Sequence, residues 1–170
     1  MSDLLKRWNL LSMPEAERDI LACGGSRAWA RGMANRRPIA NETALLTASD
    51  EIWRNVSEQD WNEAFQSHPR IGEPKTQQAV QERSGAWSKQ EQSSVARETD
   101  LVRAALAEGN REYEQRFGRI FIVSVTGKSG AEILEILRGR LRNDPATEML
   151  EAAEQQRQIT RLRLKKWLDE

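Results

Sequence analysis

The sequence predicts an all-α fold: one domain, a multi-helix bundle with a single short extended buried segment near residues 120–125. Three observations predict it. Apolar residues recur at helical spacing over most of the 170 residues. The 10 glycines and 5 prolines cluster at a few breaks. Only residues 120–125, Ile-Phe-Ile-Val-Ser-Val, have the β-branched, apolar character of a strand, and a lone strand has no partner to pair with.

The elements follow in order. Leu4, Leu5, Trp8 and Leu11 form a first helical stripe. Ser12 is positioned to cap a helix over residues 14–22, which Gly24-Gly25 ends. Ser26 caps the next helix, which carries Trp29 and Met33 and stops before Pro38. Residues 41–56 form a helix with Leu45, Ala48 and Ile52 on one stripe, and residues 60–67 form another. Residues 74–87 are polar and show no period. Residues 88–116 read as one long helix, with Gly109-Asn110 as a point of interruption. Ser129 starts a helix to about residue 142. After Asp144-Pro145 a final helix covers residues 146–168, with Met149, Ala152, Ala153, Gln156, Ile159 and Leu164 inward. No repeat, low-complexity stretch or linker divides the chain, so residues 1–170 read as a single domain.

Composition narrows the function. Lys plus Arg and Asp plus Glu both total 26, and zero net charge argues against bulk attraction to nucleic acid or to an anionic membrane. No apolar run reaches the ~20 residues of a membrane span. The N-terminus lacks a signal-peptide pattern, and the C-terminus carries no Ser-Lys-Leu address, so a cytoplasmic location is the expectation. The single Cys23 cannot form an intrachain disulfide and reads as a small buried residue in a reducing compartment.

One histidine occurs in the chain, in Ser-His-Pro-Arg-Ile-Gly-Glu-Pro, residues 67–74. Imidazole exchanges protons near neutral pH. Pro69 and Pro74 prevent a helix from running through undisturbed, which places His68 at a helix end or in a rigid loop. Most lone histidines are surface or satisfied core residues; the rigid setting strengthens the functional reading beside that one. No HExxH or CxxC spacing accompanies it, so a metal site is not expected. Ser88, Glu91 and Gln92 stand at i, i+3 and i+4, where helical side chains share a face and can line one wall of a pocket. Ser-x-x-Glu is also a capping box, and from these residues alone that reading leads.

The segment His-Pro-Arg-Ile-Gly-Glu-Pro resembles the signature of the OHCU decarboxylase family, OHCU being 2-oxo-4-hydroxy-4-carboxy-5-ureidoimidazoline. The similarity extends through Cys23-Gly24-Gly25-Ser26, Arg37-Pro38 and Trp61-Asn62-Glu63-Ala64-Phe65 before it. After it come Ser88-Lys89-Gln90-Glu91-Gln92, Tyr113 to Gly118, Phe121-Ile122-Val123 and the tail with Arg163-Leu164. It spans nearly the whole chain. Two departures stand out: Arg119 where apolar or aromatic residues are common, and Ser124 where cysteine is frequent.

The resemblance implies an all-α, generally dimeric enzyme that converts OHCU to S-allantoin and carbon dioxide without a cofactor. It implies His68 as the proton-transfer residue and Glu91 as the carboxylate that orients and charges it. Pro69, Ser88, Gln92 and Arg163 would contact substrate, as would the backbone of Phe121, Ile122, Val123, Ser124 and Val125. Arg161 competes with Arg163 for the anion-binding role, and both have a solvated-helix reading beside it. Phe121 and Val123 have a core-packing reading. Arg70 and Glu73 read as structural residues, in a salt bridge or in loop hydrogen bonding, rather than as catalytic ones. Because OHCU is unstable, the resemblance also implies functional coupling to urate oxidase and hydroxyisourate hydrolase. Two other readings compete: a non-catalytic helical interaction module built on six tryptophans and amphipathic helices, and a same-fold enzyme for a related ureido compound.

Overall fold

A computed structural model describes residues 1–71, 87, 88, 90, 91 and 99–170. Eight helices with defined bounds follow one another among these residues: α1 (Asp3–Leu10), α2 (Met13–Gly24), α3 (Arg27–Asn35), α4 (Glu42–Asn55), α5 (Glu58–Gln66), α6 (Asp100–Phe117), α7 (Gly130–Arg140) and α8 (Pro145–Leu168). Trp87, Ser88, Gln90 and Glu91 are helical as well. Among the described residues there is no strand, and no helix is long and apolar enough to cross a membrane. The all-α expectation holds.

Local chemistry sets the helix starts. Ser12 and Glu15 form a reciprocal capping box on α2, while Gly25 closes that helix at φ 75°, a conformation that favours glycine. Side chains of Ser26, Asn41 and Ser129 accept the first free N–H groups of α3, α4 and α7. Ser57 Oγ accepts from the Asp60 N–H at 3.2 Å, so α5 starts earlier than residue 60. Asp144 accepts from the Thr147 N–H at 2.9 Å at the head of α8. These bonds hold the Asp144 carboxyl below its usual range.

Two expectations are corrected. The long helix over residues 88–116 is not continuous. Thr99 is extended, and its hydroxyl caps a new helix by accepting from the Val102 N–H, although Thr lies within an otherwise helical pattern. Gly109 and Asn110 do not interrupt α6. A Cβ on Gly109 would lie 2.5 Å from Leu137 Cδ2, so glycine serves close approach of α6 to α7. Asn110 is buried and donates to the Ile71 carbonyl at 3.2 Å. On α8, Glu148 is fully buried while Met149 is only half-buried.

The chain comprises two compact units: residues 1–64 with 157–170, and residues 65–156. In the first, α2 packs on α1 and α3, and α3 on α4. Trp8 meets Trp167 edge-on at 5.7 Å between ring centroids. Trp29 is wholly buried and donates to Ser49 Oγ at 3.2 Å. The Arg37 guanidinium gathers the carbonyls of Ala34, Trp8 and Leu11 at 2.6–2.9 Å.

In the second unit α6 packs on α7 around a core of Ile71, Leu106, Tyr113, Phe121, Val123, Val125, Ile133, Leu134 and Leu137. The segment over residues 120–125 is non-helical, and Phe121 to Val125 are all buried, as the sequence predicts. Its backbone is tied by side chains instead of a neighbouring strand. Arg140 Nη1 donates to the Ile122 carbonyl, Gln155 Oε1 accepts from the Ser124 N–H at 2.9 Å, and Lys128 Nζ donates to the Ser124 carbonyl at 2.8 Å.

Candidate active site

His68 lies just past the C-terminal end of α5, where its own N–H bonds the Phe65 carbonyl at 3.2 Å. Pro69 follows, which accounts for the helix stopping here. Both residues are half-buried. The next anchor is Ile71, buried in the core of the second unit and gripped through its carbonyl by Asn110. Arg70 makes the kind of salt bridge expected of it, with Nη2 2.9 Å from Glu114 Oε1. The signature is thereby held on both sides of its histidine.

His68 Nε2 lies 2.6 Å from Gln156 Oε1. An amide oxygen only accepts, so Nε2 carries the proton in this arrangement. Gln156 is completely buried, which makes the acceptor a fixed one. The sequence pattern puts Gln156 on the inner stripe of the last helix and gives it no role. A polar side chain on an otherwise apolar stripe was the available signal.

Ser88 and Glu91 are both helical, Ser88 buried and Glu91 half-buried. Their partner Gln92, with Gly72, Glu73 and Pro74 of the signature, lies outside the described residues. Phe121, Val123 and Val125 belong to the core cluster of the second unit. Ile122 and Ser124 are buried as well but lie outside that cluster. Arg119 is half-buried, its guanidinium 5.7 Å from the centre of the Phe117 ring. Arg163 belongs to the first unit, on the second half of α8, and is buried to 1% exposure. Arg161 of the same unit pairs with Asp50, Nη1 to Oδ2 at 2.7 Å, and Arg157 reaches the other oxygen at 3.3 Å.

The charged centre of the second unit has no signal in the sequence. Arg140 and Glu148 are buried together, with Nε donating to Oε1 at 2.6 Å. Tyr113 Oη donates to the same oxygen at 2.8 Å, and Asn143 Nδ2 to Oε2 at 3.0 Å. Burial holds the Tyr113 phenol well above its ordinary range; Arg140 opposes the shift and Glu148 adds to it. Among the described residues no group of three or more histidine, cysteine, aspartate or glutamate side chains is arranged to hold a metal.

The OHCU decarboxylase family model matches residues 9–165. This chain belongs to the OHCU decarboxylase family. Among its relatives, the uric acid degradation bifunctional protein TTL of Arabidopsis thaliana is 32% identical over 156 residues, which are 92% of this chain and 48% of that protein. The uric acid degradation bifunctional protein of Bacillus sp. (strain TB-90) is 26% identical over 161 residues, 94% of this chain and 31% of that one. The chain thus spans half or less of the length of these curated relatives. Among solved structures, an OHCU decarboxylase crystallised in the presence of (S)-allantoin aligns with TM-score 0.75 at 33% identity, covering 88% of this chain and 96% of that one. An (S)-allantoin synthase aligns with TM-score 0.72 at 19% identity, covering 96% of this chain and 53% of that one, a likeness of fold.

Proposed function

We propose that this member of the OHCU decarboxylase family converts OHCU to S-allantoin and carbon dioxide in urate breakdown. The observation that carries the reading is the 33% identity to an OHCU decarboxylase that is aligned over 96% of its length and was crystallised in the presence of (S)-allantoin. The chemistry suits the residues. The bond from the ring carbon to its carboxylate breaks, carbon dioxide leaves, and the electron pair delocalises into the conjugated ring nitrogen. The C4 hydroxyl then gives up its proton to become the ring carbonyl, and a proton is delivered to the neighbouring ring carbon that carries the ureido group, which becomes the stereocentre. The ring is its own electron sink, so this route calls on the protein for orientation, charge stabilisation and one proton.

His68 supplies that proton to one face, giving a single enantiomer. Glu91 is the partner that orients and charges the imidazole. Ser88, Pro69 and Gln92 line the substrate, and the amide of Gln92 reads the ureido group. The backbone of residues 121–125 pairs with the flat, amide-rich ring. The interaction-module reading loses ground because Trp8, Trp29, Trp53, Trp87 and Trp167 are all buried, leaving Trp61 half-buried. We further propose a homodimer in the cytoplasm, fed by urate oxidase and hydroxyisourate hydrolase.

Circular dichroism during coupled urate breakdown tests the reading. Those two enzymes generate OHCU in the cuvette, with and without this protein or its His68→Ala variant. Fast growth of an S-allantoin signal, cut about 10²- to 10⁴-fold in the variant, is the expected result. Slow racemic decay that the wild-type protein does not change would remove the decarboxylase and favour a related ureido substrate.

A further inference from the structure

We propose that Arg140, fixed by Glu148, is a positioning residue that sets the backbone of residues 121–125 for substrate. This rests on the reading that the segment lines the OHCU site. Arg140 stands at the end of α7 and Glu148 in the first turn of α8, with exposures of 5% and 0%. The guanidinium donates to Glu148 through Nε and to the Ile122 carbonyl through Nη1. It also lies over the Phe121 ring, 4.6 Å from the centroid. Tyr113 and Asn143 complete the carboxylate's bonds.

A buried ion pair is weak evidence of a stability device, because hydrocarbon of similar volume often does as well or better. Hydrocarbon cannot hold a carbonyl oxygen in a fixed direction, and the planar guanidinium fork can. Two residues on, Gln155 of α8 holds the Ser124 N–H at 2.9 Å. The protein thus engages the Ile122 carbonyl and both the N–H and the carbonyl of Ser124. Among the described residues the Val123 N–H and C=O make no hydrogen bond. That donor and acceptor are of the kind a cyclic amide or ureido group pairs with. Arg140 and Gln155 fix the angle at which the pair is presented.

The test replaces the charged centre with hydrocarbon in an Arg140→Met, Glu148→Leu, Tyr113→Phe triple variant, beside Arg140→Lys. Expected for the triple variant are a retained helical fold, faster amide exchange at Val123 and Ser124, and a kcat/KM for OHCU lowered about tenfold to a hundredfold. Arg140→Lys retains a donor for Ile122 but not the fork, so its kcat/KM falls between the two. Wild-type kinetics and wild-type exchange at residues 121–125 in a folded triple variant overturn the proposal. If the triple variant does not fold, Arg140→Lys decides: unchanged exchange and unchanged kcat/KM overturn it. A wild-type protein without decarboxylase activity defeats the functional reading alone, and the exchange rates still judge the clamp.

Discussion

Replacing Gln156 with leucine removes the acceptor of His68 Nε2. Leucine is close in size and Gln156 is fully buried, so packing is largely kept while the 2.6 Å bond to Nε2 is lost. A buried donor stripped of its partner costs about 1–3 kcal/mol. His68 is half-buried, so water recovers part of this and the lower half of the range applies. About 1.4 kcal/mol is tenfold in an equilibrium. The imidazole with its proton on Nε2, aimed at residue 156, therefore becomes about tenfold less favoured. The chain has one histidine, so nitrogen-15 labelling of histidine yields one imidazole to follow. Its two nitrogen shifts report which carries the proton. The wild type is expected in the Nε2–H form, the variant in a mixture, with kcat in the coupled dichroism assay down about tenfold and the melting curve little changed. A wild-type imidazole protonated on Nδ1 alone in its neutral form, or a variant with unchanged shifts and kcat, would refute the reasoning.

Three further outcomes are expected. Gly24→Ala places a methyl group 2.4 Å from the buried Trp29 ring and should destabilise by about 1–3 kcal/mol, read as a lower urea midpoint at unchanged slope. Ser26→Ala removes the cap of α3, where Oγ accepts the Trp29 N–H at 3.2 Å; a loss of about 1 kcal/mol, or about 2–4 °C in Tm, is expected. Tyr113 is the single tyrosine, so tyrosinate absorbance reports on it alone. Its phenol is raised in the folded protein, so the folded state binds more protons than the unfolded one above the ordinary phenol pKa of about 10. Stability falls as pH rises through that range, and the fall becomes shallower in Tyr113→Phe. Tyrosinate appearing near pH 10 while the fold persists would contradict this.

Much of the fold is written locally. Ser12, Ser26, Asn41 and Ser129 cap helices because a side-chain oxygen needs only the N–H groups of its own first turn. Residues 120–125 stand out because β-branched residues without a partner strand cannot form a sheet. The helix start at Thr99 is hidden in the sequence because a threonine within an apolar period looks the same whether it continues a helix or starts one. Arg140 and Glu148 were illegible for another reason. A charge near a helix end ordinarily reads as solvated, and nothing nearby in sequence announces that Ile122, 18 residues away, needs its carbonyl held.

By itself the sequence determined the all-α class, most helix starts, the buried extended segment and the signature around His68. Each depends on periodicity or on bonds within one turn. Only the tertiary structure decided which groups meet: Gln156 with His68 across 88 residues, Tyr113 with Glu148 across 35, and Gln155 with Ser124 across 31. Periodicity says which face of a helix is buried. A hydrogen bond also requires a partner at a set distance and angle, and packing of the helices alone fixes that geometry.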